Sequence, residues 1–184
     1  MDQRYDVVAF GARPDDLEVV MGGTAAKLAS RGQSILFVDL CAGEPARHAG
    51  RGARHAQAAS AAAILGVQRT TLALQDRLIR DSVEAGLLIA RLPKWDELAD
   101  GHALDGTEPH EIERLFFGHC RMEPAWSGFD FAVDVSAAYA QKMAASAEDR
   151  YVGSLVGVPY AEAFKASSPL LVDSPDVFAK SRFG

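Results

Sequence analysis

Over its first 74 residues the chain alternates apolar β-type runs with helix-type runs, and each helix-type run stops at a glycine. Residues 5–10 and 34–40 are apolar runs suited to buried strands, and residues 70–74 form a third, β-branched run. Between them lie residues 22–31, amphipathic and closed by Gly32, and residues 54–65, alanine-rich and closed by Gly66. A βαβαβ order predicts an α/β domain with a mostly parallel sheet, right-handed crossovers and helices on both faces. In such sheets the carboxyl ends of the strands and the amino ends of the helices share one edge, and ligands bind there.

Beyond residue 74 the alternation weakens. Residues 82–92 carry Val83, Leu87, Leu88 and Leu92 at helical spacing, and the polar stretch 93–110 reads as an exposed loop. Two β runs follow, 115–117 and 131–135, around a turn at Glu123-Pro124. Ser136 is placed to cap a helix running to about Ala147. There is no internal repeat, and the 184 residues read as a single domain, 1–184.

Charge and composition narrow the class of function. A formal charge of −6 argues against a nucleic-acid partner, because displacing counterions from phosphates needs a basic face. No apolar run approaches the roughly 20 residues that a bilayer-crossing helix needs. Cys41 and Cys120 stand far apart, outside any Cys-x-x-Cys spacing, and no apolar leader precedes the first strand. Two reduced thiols in a cytoplasmic protein are expected.

The first strand-to-helix turn holds Ala12-Arg13-Pro14-Asp15-Asp16-Leu17-Glu18, ahead of Gly22-Gly23-Thr24, where a helix start is expected. Spacing leaves two readings of the adjacent carboxylates: a helix cap that complements the dipole, or a catalytic pair. Glu44 follows the second strand and Asp76 the third. Each suits a loop or turn when taken alone, yet all these carboxylates fall on the same sheet edge. The loop around Gly50 and Gly52 carries Arg47, His48, Arg51 and Arg54 at a helix start, which suits a carboxylate or phosphate on a small ligand. His48, His55, His102, His110 and His119 include no pair at i, i+4 spacing, so each reads as a surface or core histidine. His55, beside Arg54, is the best placed of the five to serve as a ligand. A nucleophile-based hydrolase is disfavoured, since there is no Gly-x-Ser-x-Gly elbow and Cys41 has no histidine near it in sequence.

The run Ala12 to Glu18 with Gly22-Gly23-Thr24 resembles the LmbE/PIG-L-like zinc-dependent de-N-acetylases, whose pattern is Ala-His-Pro-Asp-Asp, then Glu and Gly-Gly-Thr. The resemblance continues through Gly43-Glu44, Arg54, Ile64-Leu65-Gly66 and Asp76. It extends to Ala90-Arg91-Leu92-Pro93-Lys94-Trp95, Arg114-Leu115-Phe116-Phe117, Asp134-Val135-Ser136, Lys142-Met143 and Tyr160-Ala161-Glu162-Ala163-Phe164. These later runs look like the branch that deacetylates the glucosamine-malate intermediate of bacillithiol synthesis. The resemblance implies a Rossmann-like fold and hydrolysis of the acetamide of an N-acetylglucosamine-type molecule. It also implies zinc as cofactor, Asp15 as general base, Asp16 as metal ligand, and Glu44, Arg54 and Asp76 as substrate-binding residues. Relatives of this type often form homo-oligomers, which is the expectation here.

Three departures from the family pattern bear on activity. Arg13 stands where the family has its first histidine ligand. The His-Pro-Asp-His segment expected between Asp76 and Ala90 is absent, and a second gap falls between Ala145 and Tyr151. A guanidinium stays protonated and has no lone pair to donate to a metal. The sequence therefore leads to two expectations: a deacetylase with an incomplete zinc site and impaired turnover, or a metal-free homologue that binds sugar or assembles without catalysis. An ion pair between Arg13 and Asp15 or Asp16 would fill the place of the metal.

Overall fold

The computed structural model describes residues 5–43, 51–90, 114–118, 130–145 and 160–166. Strands β1 (Val7–Gly11), β2 (Ile35–Cys41) and β3 (Gln68–Leu74) form a parallel sheet in the order β1-β2-β3. Gly11 lies opposite Asp39 and Cys41 opposite Leu74, so the three strands end at one edge. Helices α1 (Asp16–Ala29) and α2 (Arg51–Leu65) make the crossovers, and α3 (Val83–Ala90) follows β3. The expected stops at Gly32 and Gly66 are present, both in the left-handed conformation that a side chain disfavours, φ 81° and 73°.

The parallel sheet buries apolar residues on both sides. Phe37 packs with Leu17, Met21, Leu28 and Leu65 of α1 and α2, whereas Leu36 and Val38 pack with Tyr5, Phe10 and Leu72. Both crossover helices stand on the Phe37 side, because a strand order that advances in one direction repeats the same right-handed crossover.

The second half of the chain builds a different sheet. Strands β4 (Phe116–Gly118), β5 (Phe131–Asp134) and β6 (Ala161–Ala166) are antiparallel, in the order β4-β6-β5. The expected runs at 115–117 and 131–135 correspond to β4 and β5, while β6 has no counterpart among the β runs read from the sequence. Val133, Val135 and Phe164 join the same buried cluster as Phe37, so α1 is enclosed between the two sheets. A 3-10 turn (Ser136–Ala138) leads into α4 (Tyr139–Ala145). The turn is not capped by the Ser136 side chain; instead Asp134 Oδ1 accepts the Ser136 N–H at 2.8 Å.

Helix α1 starts earlier than expected. It begins at Asp16 and breaks at Met21 (φ −143°, ψ 17°), so that the predicted start at Gly22 is the start of its second segment. The glycine pair is there for close packing. A Cβ on Gly23 would stand 2.6 Å from Val135 Cβ. The exposed stretch expected at 93–110 and the gap between Ala145 and Tyr151 lie outside the described residues.

Candidate active site

The edge where β1, β2 and β3 end collects three turns. The first is Ala12 to Asp16, leading into α1; the second follows Cys41; the third contains Asp76. The Cys41 N–H donates to Ala12 O at 3.1 Å, and the Cys41 thiol donates to the same oxygen at 3.1 Å. This joins the first two turns. Asp76 of the third turn and Arg13 of the first both act electrostatically on the Cys41 thiol. Burial pushes this thiol above its ordinary value. The Gly43 N–H opposes that, the nearby Asp76 carboxylate adds to it, and Arg13 opposes it.

Asp15 is the N-cap residue of α1, held at φ 93°, a left-handed conformation that costs a non-glycine residue roughly 1–3 kcal/mol. Its side chain makes no capping hydrogen bond, while Asp16 and Glu18 place carboxylates in the first turn of the helix. The Asp15 carbonyl accepts the Val19 N–H at 3.2 Å. Asp16 is engaged with Arg13 twice over. The Arg13 backbone N–H donates to Asp16 Oδ2 at 3.0 Å, and the guanidinium Nη2 stands 3.8 Å from Asp16 Oδ1. The ion pair suggested by the sequence forms, with Asp16 as the partner.

Of the remaining candidates, Asp76 lies half-buried at this edge, and its Oδ1 accepts the Arg77 N–H at 2.9 Å. Arg54 lies in the first turn of α2, which begins at Arg51. His55 is exposed. Glu44, Arg47, His48, His102, His110, His119 and Cys120 lie outside the described residues.

The fit of a zinc ion can be judged from the donors. Among the described residues, no three His, Cys, Asp or Glu side chains converge closely enough to hold a metal ion. Asp16 offers its oxygens to Arg13, and Arg13 has no lone pair to offer in exchange. The described residues alone do not supply the three protein ligands and open position of a tetrahedral zinc site.

Sequence reasoning missed two buried ion networks behind the site. Arg69, on β3, is bidentate to Asp39 of β2, with Nε to Oδ2 at 2.7 Å and Nη2 to Oδ1 at 2.6 Å. It also donates through Nη1 to Glu18 of α1, and Thr71 Oγ1 donates to Asp39 Oδ2 at 3.2 Å. Both carboxylates hold the Arg69 guanidinium firmly in its charged form against the cost of burial. On the far side of α1, Lys142 Nζ meets Glu162 Oε1 at 2.6 Å, fully buried. The sequence signals were an arginine at the head of a β run and a glutamate between two alanines. Neither reveals a partner.

Among the described residues, no helix is long and apolar enough to cross a membrane.

Solved structures share this architecture. The chain is similar to the conserved protein TT1542 from Thermus thermophilus, with TM-score 0.74 and 25% identity, over 92% of this chain and 97% of that one. It is similar in fold to the N,N'-diacetylchitobiose deacetylase from Pyrococcus horikoshii, with TM-score 0.68 and 18% identity, over 94% and 84% of the two chains. The 4-carboxy-2-hydroxymuconate hydratase GalB from Pseudomonas putida also shares the fold, with TM-score 0.63 and 16% identity, over 91% and 98%. One fold thus carries a deacetylase and a hydratase, so the reaction has to be argued from residues at the edge. The sequence model of one family, PIG-L (GlcNAc-PI de-N-acetylase), matches residues 8–115, from the first strand through the carboxylate turn to the end of the parallel half and beyond. That span is more than half of the chain, and the chain belongs to this family of de-N-acetylases.

Proposed function

We propose that this chain binds an N-acetylglucosamine-type small molecule, of the glucosamine-malate kind, at the carboxyl edge of β1, β2 and β3, and that its hydrolysis of the acetamide is strongly impaired. The observation that carries the reading is the double engagement of Asp16 by Arg13, through the backbone N–H and the guanidinium. In the family pattern Asp16 is a ligand of the metal; here it serves a cation already built into the chain. Relatives of this family are generally metal-dependent, and the guanidinium supplies positive charge without a Lewis-acidic vacancy or a bound water to acidify.

The ligand class rests on family membership and on what remains at the edge. By the family's sequence pattern Asp15 would be the general base, and Glu44, Arg54 and Asp76 the sugar and carboxylate contacts. Carboxylates and an arginine suit hydroxyls and a malate-like carboxylate, respectively.

The test is calorimetry and acetate detection on the full chain with N-acetylglucosaminyl malate, with and without added zinc. Binding without acetate release is the expected result, and Arg54→Ala is expected to abolish it. Acetate release at a rate that tracks zinc would overturn the impairment. No binding of either the acetylated or the free amino sugar would overturn the ligand class.

A further inference from the structure

We propose that two buried ion pairs, Glu18–Arg69 and Lys142–Glu162, are positioning devices. They set where the site carboxylates Asp15 and Asp16 stand by gripping the short first segment of α1 from opposite sides. The site itself is taken from the functional reading above, and the test below needs no ligand.

The break in α1 separates the site residues from the body of the helix. Residues 16–20 form little more than one turn before Met21 leaves helical geometry, so the body of the helix does not dictate their direction. In a regular helix the Gly23 N–H would donate to the Val19 carbonyl. Here the Gly23 N–H goes to Glu162 Oε1 at 2.8 Å, and the Val19 carbonyl accepts from Lys142 Nζ at 2.8 Å. Lys142 and Glu162 are bonded to each other, so the ion pair spans the Val19–Gly23 step of the helix, beside the break at Met21. Glu162 Oε2 also takes the Thr24 N–H at 2.7 Å, which serves the newly started second segment.

Inserted groups of this kind are a recognised cause of helix kinks. Gly22 faces the inserted lysine: a Cβ there would lie 3.6 Å from Lys142 Cγ, in ordinary contact. A kink alone leaves the first segment free to swing, and the second pair removes that freedom. Glu18 lies two residues beyond Asp16, is 2% exposed, and is bound by Arg69, which is itself clamped on Asp39. The segment is thus tied to β2 and β3 at Glu18, and to α4 and β6 at Val19.

The position of Asp16 has its own reporter, the Arg13 N–H that donates to Asp16 Oδ2. The integrity of the turn is reported by the Val19 N–H, which donates to Asp15 O. The experiment compares Glu18→Met and Lys142→Met with the unaltered full chain by amide NMR and native-state hydrogen exchange. Glu18→Met leaves Arg69 paired with Asp39; Lys142→Met leaves the Glu162 carboxylate its two N–H donors but no counter-charge, so it is the harsher of the two.

In each variant the Arg13 amide signal is expected to move. Val19 exchange is expected to rise about tenfold more than exchange at Phe37 in β2, which reports the stability of the sheet. Glu18→Gln, whose amide oxygen still accepts from Arg69, is expected to restore the unaltered Arg13 signal. An unmoved Arg13 signal, with Val19 and Phe37 exchange rising by the same factor, would make both pairs merely structural and overturn the proposal. Should Lys142→Met not fold, the Glu18 variants decide the matter by the same two readouts.

Discussion

Arg13 meets Asp16 with both its backbone N–H, at 3.0 Å, and its guanidinium, at 3.8 Å. The pair is exposed, with side-chain accessibilities of 51% and 32%, so it adds little to stability; exposed ion pairs contribute about 0.2–1 kcal/mol. Its consequence is electrostatic and local. A fixed positive charge beside Asp16 raises the energy of any second cation there, and the carboxylate is already solvated by a donor.

Replacing that charge is therefore expected to change cation affinity more than stability. Arg13→His removes the cation and supplies an imidazole lone pair. It is expected to bind zinc at least about tenfold more tightly than the unaltered chain, since about 1.4 kcal/mol of relieved repulsion suffices for that factor. Calorimetry with zinc measures it, and a thermal melt is expected to change by only a few degrees. Affinity no better than that of the parent would show that Arg13 is not what keeps a cation out.

The adjacent glycines of α1 are expected to respond to alanine with opposite signs. In a helix interior Gly→Ala stabilises by roughly 0.5–1 kcal/mol when the space is open. At Gly22 the nearest atoms to a new Cβ are 3.6–3.9 Å away, ordinary contact, so Gly22→Ala is expected to be neutral or stabilising. At Gly23 the new Cβ meets Val135 Cβ at 2.6 Å, and the backbone of the 3-10 turn has to shift. Gly23→Ala is expected to lose about 1–3 kcal/mol by overpacking. Urea unfolding of the two variants side by side separates the effects, because propensity alone predicts the same sign for both.

Glu162→Ala tests how much the break in α1 depends on its inserted partner. The substitution leaves the buried Lys142 ammonium, and the Gly23 and Thr24 N–H groups, without the carboxylate. Breaking a buried pair by removing one side costs about 3–5 kcal/mol, a large share of the stability of a domain this size. The expected outcome is a chain that is partly unfolded at 37 °C by circular dichroism. A loss below about 1 kcal/mol would mean that water replaces the carboxylate at no great cost.

Why the parallel half was legible and the rest was not follows from the range of the interactions involved. Strand β1 is a continuous apolar run and β2 is one interrupted only by Asp39, and the helices end at Gly32 and Gly66 because those positions are left-handed; both signals are local. Strand β6 defeats hydropathy alternation, because its inward residues are Glu162 and Phe164. A buried glutamate makes sense only once the broken helix that it serves is known. Likewise Gly22-Gly23 reads locally as a helix start, whereas the first segment of α1 is fixed by Arg69 and Lys142, which lie 51 and 123 residues from their partners Glu18 and Val19. At the site, Arg13, Asp15 and Asp16 lie in one turn and could be read together. The proximity of Asp76 to Cys41 depends on how β3 registers with β2, which includes an irregularity between Asp39 and Cys41.

That proximity gives a test by pH. Cys41 is buried and its thiol is raised, chiefly by burial, with Gly43 and Arg13 opposing and Asp76 reinforcing. Because the folded value lies above the unfolded one, the neutral thiol contributes stability that is fully present below the ordinary thiol range. That contribution is lost as pH rises through the folded value. Two substitutions then move Cys41 reactivity in opposite directions. Asp76→Asn removes a negative neighbour and is expected to speed alkylation of Cys41 at fixed pH; Arg13→Gln removes a positive one and is expected to slow it. The measurement is iodoacetamide labelling from about pH 7 to 9.5, with peptide mapping to separate Cys41 from Cys120. Equal rates in both variants would mean that burial alone controls the thiol, and that Arg13 and Asp76 do not share one electrostatic site across the ends of β1, β2 and β3.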